Sequence, residues 1–127
     1  MRTPWVVAGA VAGLLFSGTI VSAGPWEDGM VAYNRADYVP AMKLIRPLAQ
    51  GGNAKAQNIV GVMYHKGEGV ARSSARAFMW FSVAAQRGDA KAKASLREVS
   101  KDMTPAEMAA ARQMTATCEA SLYRDCE

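Results

Sequence analysis

From Ala77 the apolar positions 77, 78, 80, 81, 84 and 85 recur at the 3.6-residue spacing of a helix with one buried face. Elsewhere after residue 25 there is little alternation of apolar and polar residues, and β-branched runs are few, so strands are not expected. Start and stop signals divide the chain into helices predicted over 26–35, 38–50, 54–65, 74–87, 90–101 and 105–117. Asn53 and Asp89 are placed to N-cap two of them, and Asp37 and Ser73 two others, because their side chains can accept from the free N–H groups of a first turn. Pro40 falls in a first turn, where its missing N–H costs little. Pro47 falls late in its helix and is expected to kink or loosen the turn before it. Gly52 and Gly88 are expected to stop helices at positive φ. The last helix opens on Thr104-Pro105-Ala106-Glu107, with a capping threonine, a proline at the first helical position and a glutamate that closes a capping box.

The helices repeat. "AQGGNAKAQ" at 49–57 returns as "AQRGDAKAK" at 85–93, an offset of 36 residues. The same offset sets Asp37 on Ser73, Ala41 on Ala77, Met42 on Phe78, Leu44 on Trp80 and Ile45 on Phe81. A period of this length indicates stacked supersecondary units, here two helices each. The expected fold is all-α: an α/α solenoid of about three antiparallel helix pairs. The third pair departs from the repeat. Arg97 stands where the second unit has Gly61, and only Asp102 and Met103 separate its helices. A changed terminal unit suits the capping of an open-ended solenoid.

The first 23 residues lie outside this pattern. Arg2 is followed by "TPWVVAGAVAGLLFSGTIVSA", which carries no charge and ends on Val21-Ser22-Ala23. A positive start, an apolar middle and small residues before a cut describe a secretory signal peptide over 1–23, leaving a domain at 24–127. The alternative is an uncleaved membrane anchor, which Gly9, Gly13, Gly18 and the polar Ser17, Thr19 and Ser22 weaken. With cleavage, no membrane span remains, and the protein is expected in the periplasm or secreted. Net charge is +4 from 15 Lys and Arg against 11 Asp and Glu. Loss of Arg2 lowers it to +3, with both signs interspersed, which does not describe a nucleic-acid surface. An oxidising compartment favours a bond between Cys118 and Cys126, eight residues apart, stapling the tail to the last helix.

"HKGEGVARSS", from His65 to Ser74, has the glycines of a phosphate loop but not their order. No lysine follows the second glycine, and a helix precedes the stretch instead of a strand. A turn between helices accounts for it: Gly67 ends one helix, Gly69 turns again, Val70 tucks back as an apolar plug, and Ser73 or Ser74 caps the next helix. With this turn in place, residues 53–92 resemble a Sel1-like repeat, a relative of the tetratricopeptide repeat. The residues carrying the resemblance are Ala56, Val60-Gly61, Tyr64, Gly67-Glu68-Gly69-Val70, Ala77, Trp80, Ala84-Ala85 and Gly88. Val60 replaces the usual leucine, and Ser73 a frequent aspartate. The small Gly61 and Ala77 let paired helices approach, and Tyr64, Phe78, Trp80 and Phe81 fill the space between neighbours.

The resemblance implies a concave groove lined by the first helix of each unit. It maps Lys55, Asn58, Val62 and His65 into that groove, with Lys91, Ala94, Glu98 and Lys101 from the third unit. A protein or peptide partner is implied, in scaffolding or adaptor roles, and an acidic peptide, a carboxylate terminus or a cell-wall glycan would suit a mildly basic groove. Catalytic signatures are wanting. One histidine and two cysteines make no zinc set, the serines lack a G-x-S-x-G elbow, and the carboxylates stand singly. The seven methionines after Met1 sit at helix-face spacings and read as core filler. No enzyme, metal or cofactor is therefore expected. The remaining alternative is a penicillin-binding or β-lactam-hydrolysing enzyme, a link drawn from cysteine-rich secreted relatives with a cysteine pair in each repeat. This chain has one pair in total.

Overall fold

A computed structural model describes residues 23–127, together with Pro4, Gly9, Gly13 and Gly18. The leader expected over 1–23 thus lies almost wholly outside the described residues. Six helices follow one another: α1 (Pro25–Asn34), α2 (Tyr38–Gln50), α3 (Ala54–Lys66), α4 (Ser74–Gln86), α5 (Ala90–Lys101) and α6 (Pro105–Ala120). The described residues contain no strand.

The caps explain most of the boundaries. Asn53, Ser73 and Asp89 each accept from the backbone N–H three residues on, at 3.0, 3.2 and 2.8 Å. Thr104 and Glu107 form the full reciprocal box at 3.1 and 2.9 Å. Asp37 differs from expectation: its side chain makes no capping bond. The chain enters α2 through Ala36, held at φ +61°, and the N–H of Asp37 is engaged by the Ala32 carbonyl at 2.9 Å. α2 runs unbroken through Pro47. Pro47 and Lys43 are both exposed, so the carbonyl that loses its helical donor can be hydrated.

α1 packs on α2, α2 on α3, α3 on α4, and α4 on α5, as stacked antiparallel pairs require. Within each of the first two pairs a buried glycine faces a large side chain. A Cβ on Gly61 would come within 2.6 Å of the Phe81 ring, and one on Gly29 within 2.7 Å of Ile45. The two helix pairs approach so closely because those positions have no side chain.

The last pair is built differently. α6 packs along α4 rather than along α5. This changes α4 itself. Its periodicity predicted one buried face, yet Met79, Ser82 and Val83 are buried along with Ala77, Trp80, Phe81 and Ala84. α3, α5 and α6 surround it, so little of its circumference reaches solvent. α6 contributes Ala111, Thr115 and Cys118, spaced four and three apart, to this contact.

Beyond α6 the tail turns back and is bonded through Cys118–Cys126. Cys126 is buried in the common core. Arg87 Nη1 donates to the Tyr123 hydroxyl at 3.2 Å, and its guanidinium lies 5.5 Å from the ring centre. The last residue, Glu127, reaches Arg46 of α2 at 2.9 Å.

Candidate functional site

The groove is built from α1, α3 and α5. Asn53 and Asp89 start α3 and α5 at equivalent points, so Lys55 and Lys91 project from the same position of each helix. Lys55, Asn58 and Lys91 line one cavity of about 380 Å³ with Trp26, Met30, Ile59, Asp89 and Ala90. Trp26, Met30 and Ile59 are half-buried and pack against the core, which makes the floor apolar. The two lysines are exposed and give the rim its positive charge. Asp89 sits there too, but one of its oxygens is engaged by the Ala92 N–H at 2.8 Å. Asn58 is only 7% exposed, and its Oδ1 has no hydrogen-bond partner. A buried acceptor left unpaired is costly, so a donor brought into the cavity would be favoured there.

The other expected groove residues lie further along the same helices. Val62 and His65 are half-buried on α3, while Ala94, Glu98 and Lys101 are exposed on α5. Lys101 Nζ and Glu98 Oε1 meet at 2.8 Å. That hydrogen bond, followed by the lysine's charge, holds the Glu98 carboxyl below the ordinary value, with smaller contributions from Arg97 and His65. Glu98 and Lys101 largely answer each other. The cavity brings together three of the expected residues and places the rest outside its lining.

Trp26 and Met30 were not among the expected groove residues, although a signal exists. The α1–α2 turn, 35–37, has three residues where the α3–α4 turn, 67–73, has seven. The first helix of the first unit is therefore in register at an offset of 32, not 36. At 32, Trp26 falls on Asn58, Met30 on Val62 and Gly29 on Gly61. Aligned at 36 alone, the shorter turn hides both the groove face and the glycine.

The motif residues have structural positions. Ala56, Val60, Gly61, Tyr64, Ala77, Trp80 and Ala84 are buried, and Ala85 is half-buried. Gly67, Gly69 and Gly88 adopt positive φ. A Cβ on Gly69 would lie 2.8 Å from the Tyr38 backbone, so the turn needs glycine both for its conformation and for its seat against α2. Val70 packs on the core beside it. Glu68, at the turn's tip, accepts from the Tyr33 hydroxyl at 3.1 Å.

Stacked antiparallel helix pairs, a glycine-rich turn seated on the neighbouring unit and a groove along the first helices define an α/α repeat protein. More narrowly, the family model described as Sel1 repeat matches residues 54–89, from the start of α3 to the cap of α5, and the chain carries a Sel1-like repeat. Sel1 repeats generally mediate protein–protein interaction and are typically non-catalytic. No curated relative matches the chain. Among the described residues, no group of three or more His, Cys, Asp or Glu side chains could hold a metal ion, and no helix is long and apolar enough to cross a membrane.

Proposed function

We propose that the protein is an exported, non-catalytic adaptor whose α1–α3–α5 groove holds a segment of a partner protein in the cell envelope. The cavity carries this reading: an apolar floor of Trp26, Met30 and Ile59 beneath the rim lysines Lys55 and Lys91. It suits an extended peptide that inserts one apolar side chain and places a carboxylate near the lysines. A backbone N–H of that peptide would supply the donor that Asn58 Oδ1 lacks. The disulfide and the leader expected over 1–23 support export.

Cross-linking of the tagged protein in its native envelope, read by mass spectrometry, tests the proposal. The expected result is a discrete protein linked through Lys55 or Lys91. Links confined to lysines outside the groove would move the binding face and overturn the site. A half-buried Trp26 also favours sugar stacking, the basis of a second reading as a cell-wall glycan module. That reading requires retention on purified wall material, competed away by free oligosaccharide and lost in Trp26→Ala.

A further inference from the structure

Away from the groove, side chains from α2 and α4 gather on the Tyr64 ring of α3. Arg46 of α2 donates from Nη2 to the Tyr64 oxygen at 2.8 Å. The guanidinium carbons of Arg46 and of Arg76, from α4, lie 5.9 and 5.8 Å from the centre of the Tyr64 ring. One of the two arginines meets an anion. The Glu127 carboxylate pairs with Arg46 Nη1 at 2.9 Å. Burial shifts the phenol upward, and the charge of Glu127 adds to that shift while those of Arg46 and Arg76 oppose it.

Donors outnumber acceptors here. Arg46 Nε and Arg76 Nε are both buried without a hydrogen-bond partner. The Tyr64 hydroxyl accepts from Arg46, and its own proton has no acceptor among the described residues. Arg76 has no carboxylate partner among them either. Unpaired buried donors are costly, and planar guanidinium forks match the oxygens of phosphate and carboxylate groups. The resident carboxylate is loosely held: the Glu127 side chain is 52% exposed. A single carboxylate fills one donor of Arg46 and leaves the rest, whereas a tetrahedral oxyanion has enough oxygens to engage both arginines.

We propose that Arg46, Tyr64 and Arg76 form a binding site for a phosphate-class oxyanion, in which the chain's own Glu127 carboxylate is the competing occupant. Anion binding there would tie α2, α3 and α4 together and displace the end of the tail. None of these residues lines the groove, so the proposal stands or falls independently of the peptide-binding reading.

The test uses the oxidised protein and the arginine Nε–H signals in nitrogen–proton NMR, titrated with inorganic phosphate against sodium chloride at matched ionic strength. Saturable shifts of the Arg46 and Arg76 signals are expected. Glu127→Gln should tighten phosphate binding about two- to fivefold, the scale of removing one exposed ion pair. Arg76→Gln should abolish saturation, and Arg76→Lys, which keeps the charge without the fork, should weaken it. Melting curves for each variant separate lost binding from lost folding. A second titration with glycerol phosphate identifies the source: binding comparable to inorganic phosphate indicates a phosphate carried on a larger molecule, and binding of inorganic phosphate alone indicates the free ion. Shifts that chloride reproduces, or that Glu127→Gln leaves unchanged, would overturn the proposal.

Discussion

The α3–α4 pair and the α5–α6 segment begin alike and end differently. Asn53 and Asp89 cap α3 and α5 in the same way, and alanine and lysine follow in both. Eight residues on from the caps, the paths separate. Gly61 admits the Phe81 ring and α4 closes onto α3, whereas Arg97, exposed on α5, offers no such seat. α6 goes to α4 instead, and the disulfide holds the tail against the core. One region is held by a close apolar approach between helices. The other is held by a covalent link, a capping box and a stripe of three buried residues. A repeat can thus end its stack by losing one glycine and adding a staple.

The disulfide gives the largest expected effect. Cys118→Ala/Cys126→Ala should cost ~2–3 kcal/mol in urea unfolding, the chain-entropy value for a short loop. Hydrogen exchange distinguishes the regions: amides of α6 should lose protection well before those of α3 and α4. Uniform loss of protection would show that α6 is no more separable than any other helix. Gly61→Ala comes next, at about 1–3 kcal/mol, because Phe81 is 1% exposed and its ring has little room to yield. Arg97→Ala, at the equivalent position of α5, should stay within about 0.5 kcal/mol. Equal costs for the two would erase the contrast between the regions.

Much of the difference was legible in the sequence, and what was not has a common cause. Caps, glycine stops and periodicity are local, so the helices fall within a few residues of the segments they predict. The substitution of Gly61 by Arg97 marked the third unit as altered. It did not say where α6 would go, since that depends on how the far side of α4 is covered. Met79, Ser82 and Val83 break the one-face periodicity for this reason. In the groove, Lys55, Asn58 and Lys91 could be placed because they share the 36-residue register. Trp26 and Met30 belong to a helix displaced by a shorter turn. The pairing of Arg46 with Glu127, 81 positions apart, leaves no local trace at all.

The shorter first turn supplies a smaller test. Ala36 sits at φ +61° in a conformation that suits glycine, while Gly67 ends the corresponding helix of the next unit at φ +71°. Ala36→Gly should stabilise the protein by about 0.5–1 kcal/mol, since relief of the left-handed strain exceeds the entropy that glycine adds to the unfolded chain. Gly67→Ala should move stability the other way, by about 1 kcal/mol. The signs, read from paired melting curves, matter more than the sizes. If both variants destabilise, the two turns are not versions of one device.

The contact between the first pair and the glycine-rich turn gives the smallest effect, and pH isolates it. Burial, then the Glu68 charge, then the hydrogen bond to Glu68 push the Tyr33 hydroxyl from 10.0 up to about 12. The folded protein therefore keeps this proton between about pH 10 and 12, where the unfolded chain has released it. Fewer protons on the unfolded state mean that stability falls as pH rises through that window. Solvent screening limits the loss to under ~1 kcal/mol for a group only half-buried. Tyr33→Phe removes the titrating proton and should flatten this component of the pH profile. Glu68→Gln keeps an acceptor but removes the charge, so it should narrow the window without closing it. A Tyr33→Phe protein whose alkaline profile still falls as steeply as the parent's would show that the α1 contact with the turn contributes nothing to holding the first two units together.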